Sequence, residues 1–270
     1  GFEEAAPSKQ EQETEGLPGS VRGRQMKGAG KLVKLSKRLE TVVSFVTPGG
    51  TVADVGTDHG FVPIELVSRG LADGAIAMDV GAGPLLRAGE HIRRCGLEDR
   101  IEVRLCDGVA KLKAGEADTV IIAGMGGGLV IHILEEGRHL WKAVKHWILS
   151  PQSELDKVRK FLYGNGFDTV REDMVEDGGK YYTVMEAVFE GETSKAGKEL
   201  TPIEYLYGPG LIEEKNPVLL RLLEREERQL SGIIRELSGQ EGEKAAERRR
   251  ELEETVGEIR KILYGEVSGA

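Results

Sequence analysis

The sequence of 270 residues has little cysteine, few aromatic residues and no surplus of positive charge. Its two cysteines, Cys95 and Cys106, are too few for a disulfide framework, and no cluster of His, Cys or carboxylates has the spacing of a metal site. We therefore expect a reduced, cytoplasmic protein without a bound metal. The net charge of −9 excludes a protein that coats nucleic acid by bulk charge, although it allows a local basic patch.

Long hydrophobic runs are also missing. The longest apolar stretch, residues 120–134, contains four glycines and His132, and it is shorter than the ~20 residues that a bilayer requires. Residues 1–30 are polar and of mixed charge, without the apolar core of a signal peptide. We expect no membrane partner and a disordered tail over residues 1–30.

Glycine, in contrast, is abundant, with 37 residues, about twice the usual share of ~7%. An amphipathic segment from Leu35 precedes five short β-rich runs, and a helical segment follows each run. The runs are residues 52–55, 75–80, 101–105, 119–123 and 147–149. Near-continuous apolar runs with helical spacers predict a parallel sheet that is covered on both faces.

Two further β-rich runs, 169–175 and 181–189, are joined by Asp177-Gly178-Gly179-Lys180, which predicts a hairpin. A parallel sheet that ends in an antiparallel hairpin differs from a dinucleotide-binding fold. It is the ending found in class I S-adenosylmethionine-dependent methyltransferases. The predicted fold class is therefore α/β, with a Rossmann-like, mostly parallel seven-stranded sheet formed by residues 31–191.

Apolar residues recur at steps of three and four over 219–237 and again over 245–263, with one polar break in each series, Glu226 and Arg249. Residues 192–270 are therefore predicted to form a connector and an antiparallel coiled-coil hairpin. Eleven Lys/Arg and eleven Glu between 215 and 261 make its surface net neutral. Judged by charge alone, a packing or spacing role for this hairpin is favoured over nucleic-acid binding.

The ends of the predicted strands carry the candidate ligand residues. After the first strand, Asp54, Gly56 and Gly60 flank Asp58, and the glycines allow a sharp turn close to a ligand. An acid in this loop would repel a diphosphate, so a cationic or zwitterionic ligand such as a sulfonium amino acid fits better. A plain glycine turn with an aspartate cap is the alternative.

Acidic residues also end the next two strands. Asp79, followed by Val80, stands where a ribose hydroxyl pair is held in nucleotide-binding sheets. Asp107, followed by Gly108, can accept a hydrogen bond from an adenine amino group. Each aspartate alone could be a helix cap, but three acids at three successive strand ends together favour a nucleoside-like ligand.

The fourth strand ends in Gly124-Met125-Gly126-Gly127-Gly128. It lacks the (Asp/Asn)-Pro-Pro-(Tyr/Phe) loop common in enzymes that methylate exocyclic nitrogens. The glycine-rich backbone would leave room for a flat acceptor. A tightly packed helix start is the alternative, although four glycines in five positions exceed that need.

Together these segments resemble one family, the bacterial tRNA (adenine-22-N1)-methyltransferases. The motifs that carry the resemblance are Leu35-Ser36-Lys37-Arg38-Leu39, the loop from Asp54 to Gly60, Asp107-Gly108, Ala123-Gly124-Met125-Gly126-Gly127, Pro151-Gln152 and Tyr207-Gly208-Pro209. The resemblance runs from about residue 34 to the end of the chain. It implies S-adenosylmethionine as the cofactor, N1 of a tRNA adenine as the acceptor, and tRNA as the partner of a chain that we expect to be monomeric.

The resemblance also implies roles for individual residues. The cofactor would contact Asp54, Gly56, Gly60, Asp79, Val80, Asp107, Gly108, Gly124 and Met125. Substrate contacts would come from Arg38, Gly126, Gly127 and Gln152, although a solvated helix face is the commoner state of such an arginine. Asp58 would be the catalytic acid beside the acceptor, with His59 as a weaker candidate that could equally be structural. Core packing is favoured over base stacking for Tyr181 and Tyr182.

Adenine N1 is itself a nucleophile at neutral pH, so the site needs no strong base. Methylation places positive charge on the ring, and a carboxylate such as Asp58 would stabilise it. Two alternatives stay open on the sequence. One is a methyltransferase with another acceptor, which is another RNA position, a small molecule or a protein. The other is a catalytically inactive nucleic-acid-binding module. A nucleotide-dependent oxidoreductase is a distant third.

Overall fold

A computed structural model describes residues 34–191, 199–240 and 242–265. The proposed tail over residues 1–30 lies outside these ranges. A seven-stranded sheet with strand order β3-β2-β1-β4-β5-β7-β6 forms the centre of the fold. Its strands are β1 (Thr51–Val55), β2 (Gly74–Asp79), β3 (Ile101–Leu105), β4 (Thr119–Ala123), β5 (His146–Ser150), β6 (Phe167–Asp177) and β7 (Lys180–Phe189). The first five strands are parallel, and β7 runs antiparallel to both β5 and β6.

Helices cover both faces of the sheet, as the apolar strands require. They are α1 (Lys37–Ser44), α2 (Phe61–Ser68), α3 (Ala82–Arg94), α4 (Gly127–Glu136) and α5 (Leu155–Gly164). One core joins α1, α2 and α3 to one face through Val42, Leu66 and Ile92. The opposite core joins α4 and α5 to the other face through Leu134 and Leu162. The predicted α/β architecture is confirmed.

The terminal hairpin also matches the prediction, but its strands are longer than the apolar runs. Gly178 and Gly179 both have positive φ, 59° and 75°, as a tight two-residue hairpin turn requires. A register shift between Thr169 and Arg171 interrupts the pairing of β6 with β7. By contrast, β2 has the predicted length of six residues but lies one position earlier, at 74–79 rather than 75–80. It ends at Asp79, whose carboxylate accepts the amide of Gly81 at 2.7 Å and turns the chain, so Val80 lies beyond the strand.

The C-terminal part consists of α6 (Pro202–Tyr207), α7 (Pro209–Glu213), α8 (Pro217–Ser238) and α9 (Glu243–Tyr264). The two long helices pack antiparallel, since the first turns of α8 meet the last turns of α9 around Leu219, Leu223 and Ile259. Arg260 of α9 also binds Glu227 of α8 at 2.7 Å. The predicted helical hairpin is therefore present. The apolar contact between α8 and α9 is buried near the sheet. It becomes more exposed toward the far end of the hairpin, where Ile233 is 44% exposed.

A buried ion pair fastens the connector to the sheet. The Arg159 side chain on α5 is fully buried, and its Nε donates to Oε1 of Glu172 on β6 at 2.9 Å. Its Nη1 donates to the carbonyl oxygens of Tyr205 and Leu206 at the end of α6, at 2.8 and 2.9 Å. Gly208 follows with φ 96°, and a Cβ there would collide with the Glu172 carboxylate. This contact accounts for the glycine in the Tyr207-Gly208-Pro209 motif.

Candidate active site

The three predicted acids meet at the carboxyl edge of the sheet. Parallel pairing aligns Val55 with Met78 and Asp79 with Leu105, so the loops after β1, β2 and β3 open on the same side. Asp54 lies within β1, Asp79 ends β2, and Asp107 follows β3 in an exposed position. Carboxylates in this row suit a ligand that offers cationic, amino and hydroxyl groups.

The loop after β1 is held against its neighbours. The amides of Gly56 and Thr57 donate to the carbonyl of Met78 at 2.8 and 2.9 Å. Gly56 and Gly60 have φ of 79° and 69°, a region that glycine enters without steric cost. A Cβ at Gly56 would collide with the methyl group of Met125, so the loops after β1 and β4 touch. The sharp turn inferred from the glycines is present, and close approach to a ligand remains a prediction.

Asp54 is the strongly perturbed carboxyl of the edge. It is 7% exposed, and burial raises its pKa from 3.8 to about 6, with the Thr57 hydroxyl opposing that rise and the charge of Asp79 adding to it. Burial penalises an ionised carboxylate that lacks a cation. A bound cationic group would supply one.

Asp58 differs from Asp54 because it is exposed and paired. Its side chain is 65% exposed, with Oδ1 2.6 Å from Nη2 of Arg87 on α3 and Oδ2 3.3 Å from Nε2 of His59. The hydrogen bond from Arg87 is the main cause that holds the pKa of Asp58 below its usual range. Asp58 is therefore a fixed negative charge at neutral pH rather than a proton acceptor.

The ring of His59 belongs to a small aromatic stack. Its centroid lies 5.0 Å from that of Phe61 and 5.5 Å from that of His91, with nearly parallel planes. Nδ1 of His91 donates to the carbonyl oxygen of His59 at 3.0 Å. These contacts give His59 a packing role, and a catalytic role for it remains a prediction.

The parts of the row that the sequence predicts for ribose and adenine combine acids with exposed apolar groups. One oxygen of Asp79 accepts the amide of Gly81 and turns the chain, but α3 has no side-chain cap, so the helix-cap alternative is wrong here. The neighbouring Val80 is 70% exposed, which leaves an apolar surface for a ligand ring. Gly108 has φ 48° and packs so near Ile133 that a Cβ would lie 3.0 Å from its Cγ1.

The glycine-rich loop after β4 is braced by the loop after β5. The amide of Gln152 donates to the carbonyl of Met125 at 2.8 Å, and Glu154 accepts the amide of Gly128 at 3.0 Å. A Cβ at Gly127 would lie 2.5 Å from the carbonyl oxygen of Ser153. Gly127 is thus explained by close packing, the alternative that the sequence left open, while Gly126 and Gln152 are exposed.

Arg38 reaches this loop from α1. Its guanidinium carbon lies 5.2 Å from the ring centroid of Tyr182, and Nη1 is buried without a hydrogen-bond partner. A Cβ at Gly124 would lie 3.1 Å from that same Nη1. The backbone amide of Arg38 donates to Asp177 at 3.1 Å, which ties α1 to the hairpin. The arginine is therefore not a solvated surface residue.

Several residues of the site had no signal in the sequence. Arg87 is 29 positions from Asp58, and only the packing of α3 beside the first loop brings them together. Tyr182, in contrast, is assigned to core packing by the sequence, and it lies beneath Arg38 because β7 extends past the end of β5. Glu154 has a left-handed backbone with φ 55°, which its residue type does not predict.

The residues at the edge fit S-adenosylmethionine. Gly56 allows the first loop to approach Met125 closely, and Asp54, Asp79 and Asp107 suit a donor with cationic, amino and hydroxyl groups. Within the described ranges, no group of three His, Cys, Asp or Glu residues is arranged to hold a metal ion. No helix in that part of the chain is both long enough and apolar enough to cross a bilayer.

The strand order, the antiparallel seventh strand and the acids at the strand ends define a class I methyltransferase. A methyltransferase-domain family model matches residues 35–185. The chain is 36% identical over 213 residues to the tRNA (adenine(22)-N(1))-methyltransferase of Bacillus subtilis, covering 76% of this chain and 87% of that protein. It belongs to the family of bacterial tRNA (adenine-22-N1)-methyltransferases.

Solved structures agree with this assignment. The crystal structure of the B. subtilis m1A22 tRNA methyltransferase TrmK has a TM-score of 0.74 at 34% identity, covering 85% of this chain and 99% of that one. A Streptococcus pneumoniae protein solved in complex with S-adenosyl-L-methionine has the same TM-score and identity, covering 86% of this chain and 100% of that one.

Proposed function

We propose that this protein transfers a methyl group from S-adenosylmethionine to N1 of adenine 22 in tRNA. The observation that carries the proposal is the row of acids on the carboxyl edge, in a chain that matches the B. subtilis enzyme over 76% of its length. The chemistry is assigned to residues 31–191, and the connector and helical hairpin over 192–270 assist with the substrate. We place the protein in the cytoplasm as a monomer.

When bound, S-adenosylmethionine supplies an electrophilic methyl group on a sulfonium. We assign Asp54 to the cationic part of this cofactor, since its buried ionised form has the Thr57 hydroxyl beside it but no cation. Asp79 with Val80 would hold the ribose, and Asp107 with Gly108 the adenine ring. Gly56, Gly60 and Gly124 leave the backbone open to close approach, with Met125 at the border of the acceptor space.

Asp58 is assigned the role of stabilising the acceptor. The target base gains positive charge as N1 is methylated, and an ionised carboxylate near its amino group lowers the energy of that state. Arg87 holds the Asp58 carboxylate in place through the 2.6 Å hydrogen bond. His59 supports the other oxygen of the same carboxylate.

Arg38, with Gly126, Gly127 and Gln152, is assigned to the RNA. The Arg38 guanidinium has a buried Nη1 without a partner and an aromatic surface beneath it. Such a group is ready to bind a phosphate or the edge of a base. Close positioning of the base against the methyl group then supplies much of the acceleration. Because adenine 22 lies within folded tRNA, we propose that either base flipping or reshaping of the tRNA brings the base to the cleft.

Mass spectrometry of nucleosides tests the function directly. Unmodified tRNA is incubated with the protein and S-adenosylmethionine, digested and analysed for 1-methyladenosine, and the position is mapped on tRNA with adenine 22 replaced by guanine as the control. We expect 1-methyladenosine in the first tRNA and none in the second. Equal methylation of both tRNAs would favour another acceptor, and donor binding without any transfer would favour an inactive binding module.

A further inference from the structure

Nitrogen atoms of two side chains converge above Gly124, just after the end of β4. A Cβ on Gly124 would lie 3.1 Å from Nη1 and 3.7 Å from Nη2 of Arg38, and 3.8 Å from Nε2 of Gln152. The guanidinium therefore turns its Nη1–Nη2 edge toward Gly124, with an amide group beside it. We call Arg38, Gly124, Ser150, Gln152 and Tyr182 the Arg38 subsite.

Two buried polar atoms of the Arg38 subsite have no hydrogen-bond partner among the described residues, Nη1 of Arg38 and Oγ of Ser150. Ser150 is only 1% exposed, and its carbonyl oxygen accepts the amide of Gly124 at 3.0 Å. Ile148 faces the core beneath α1, and because side chains alternate along a strand, Ser150 points to the same face. Buried polar groups are normally hydrogen-bonded, so both atoms are suited to bind polar atoms of a ligand.

The β6–β7 hairpin holds the guanidinium of Arg38 in this position. The guanidinium carbon lies 5.2 Å from the ring centroid of Tyr182, and the Arg38 amide donates to Asp177 at 3.1 Å. Among the described residues, the guanidinium forms no salt bridge. Its charge is therefore available to an anion, and a side chain that is already positioned loses little entropy on binding.

We propose that the Arg38 subsite binds the backbone phosphate next to the target adenine. A phosphate offers several acceptor oxygens, and the edge of a guanidinium binds two of them at once. Gly124 directly precedes Met125, which the proposed function places at the border of the acceptor space, so a phosphate held here lies beside the target base. This inference rests on the proposed function, and it makes Tyr182 a positioning residue for the substrate.

A chemical double-mutant cycle tests this contact. Three synthetic tRNAs are compared, one with all phosphates and two in which a neutral methylphosphonate replaces the phosphate on the 5′ or on the 3′ side of adenine 22. Each is titrated with the unaltered protein, with Arg38→Ala and with Lys37→Ala, which alters an exposed neighbour on α1. Fluorescence anisotropy measures the Kd, and circular dichroism confirms that each variant is folded.

We expect Arg38→Ala to raise the Kd of the all-phosphate tRNA roughly tenfold. With one of the two methylphosphonate tRNAs, the same substitution is expected to change the Kd by less than about twofold, because the contact is already lost. Lys37→Ala is expected to change all three Kd values by the same factor.

Two substitutions of Tyr182 separate positioning from packing. Tyr182→Phe keeps the ring beneath the guanidinium and is expected to bind all three tRNAs within about twofold of the unaltered protein. Tyr182→Leu removes the ring and is expected to raise the Kd of the all-phosphate tRNA about fivefold, the size of one cation–π interaction. That loss should vanish with the methylphosphonate tRNA that is insensitive to Arg38→Ala. Equal losses with all three tRNAs, or Tyr182→Phe as weak as Tyr182→Leu, would refute the positioning role.

A loss of equal size with all three tRNAs in Arg38→Ala would overturn the proposal, and this is also the result if the guanidinium binds the edge of a base. A raised Kd for S-adenosylmethionine, measured by calorimetry on the same variant, would assign the subsite to the carboxylate of the donor and overturn it too. Formation of 1-methyladenosine by the unaltered protein on the all-phosphate tRNA tests the proposed function separately. The expected cycle without that product would contradict the function and leave the phosphate contact intact.

Discussion

The guanidinium of Arg87 on α3 donates a 2.6 Å hydrogen bond to the carboxylate of Asp58 in the loop after β1. The bond joins two elements that meet only in the folded sheet. The bond keeps the Asp58 carboxylate ionised and fixes its orientation. Without it, a side chain that is 65% exposed on a loop would have no fixed orientation. The two residues form one unit, and they are expected to respond together to substitution.

Replacing Asp58 by alanine is expected to abolish most methyl transfer while donor binding survives. Loss of one preorganised electrostatic group typically costs about 10²- to 10³-fold in kcat. Transfer of tritium-labelled methyl to tRNA measures the rate, and calorimetry measures donor binding. Full activity in the variant would remove Asp58 from the mechanism.

Replacing Arg87 by alanine is expected to lower kcat by about tenfold, since Asp58 remains but loses its orientation. Arg94→Ala is the matched control, because Arg94 lies on the same helix and, among the described residues, pairs with Glu90 alone, at 3.6 Å. A control that is as slow as Arg87→Ala would show that charge on α3, not the contact with Asp58, matters.

Arg38→Ala is expected to weaken productive tRNA binding, raising KM or lowering kcat by roughly tenfold, with donor affinity unchanged. Arg38→Lys should rescue little, because an ammonium cannot reproduce the planar stack on Tyr182. The exposed neighbour Lys37→Ala serves as the control in the same steady-state assay. Equal effects at both positions would assign the loss to general charge on α1.

Donor affinity is expected to fall as pH drops below about 6. Asp54 has its pKa raised from 3.8 to about 6 by burial, and its protonated form cannot bind a cation. The Kd should therefore rise by up to about tenfold per pH unit below that value. Calorimetric titration between about pH 5 and 8 measures this dependence. Asp54→Asn should bind weakly with a flat profile, whereas Asp99→Asn, which alters an exposed carboxyl, should behave as unaltered protein.

The same shift affects stability with a known sign. Because the pKa is higher in the folded state, Asp54 opposes folding above about pH 6, and that cost disappears below about pH 4. The full cost is about 3 kcal/mol, at ~1.36 kcal/mol per unit. Asp54→Asn is therefore expected to raise the free energy of unfolding at pH 8. Urea denaturation measures it, and a lower value in the variant would contradict the shift.

Gly127→Ala is expected to destabilise the site, whereas Gly128→Ala should be tolerated. A Cβ at Gly127 would lie 2.5 Å from the Ser153 carbonyl oxygen, but one at Gly128 would meet only the end of the flexible Glu154 side chain, at 3.4 Å. Overpacking of this kind costs about 1–3 kcal/mol. Thermal unfolding of the adjacent pair measures the difference, and equal melting temperatures would contradict the close packing.

Removing Arg159 alone is expected to cost about 3–5 kcal/mol, because Glu172 would keep a buried charge without its partner. Arg159→Met/Glu172→Leu should regain much of that loss, since neither charge then remains. Urea denaturation of the two variants measures both values. A single variant as stable as the double one would show that the ion pair is not needed to hold the connector.

The sequence alone was sufficient for the fold. Apolar runs of three to six residues with helical spacers predicted the parallel strands, and Asp177-Gly178-Gly179-Lys180 predicted the hairpin that distinguishes this class. The errors were at boundaries. Val80 lies outside β2 because the Asp79 carboxylate captures the amide of Gly81, and such a local hydrogen bond is not visible in a hydrophobic pattern.

The sequence also determined which acids and glycines stand at the strand ends, because spacing along the chain is enough to place them. Only the tertiary structure decided which of these acids and glycines are buried, paired or closely packed. Asp54 and Asp58 differ because the Asp54 carboxyl is buried within the sheet, whereas the Asp58 carboxyl is exposed and reaches Arg87. Packing against Ser153 explains Gly127, and the fold pairs Glu226 of α8 with Tyr207 and Glu227 with Arg260. Charge and burial depend on neighbours distant in the chain, and those neighbours are set by folding.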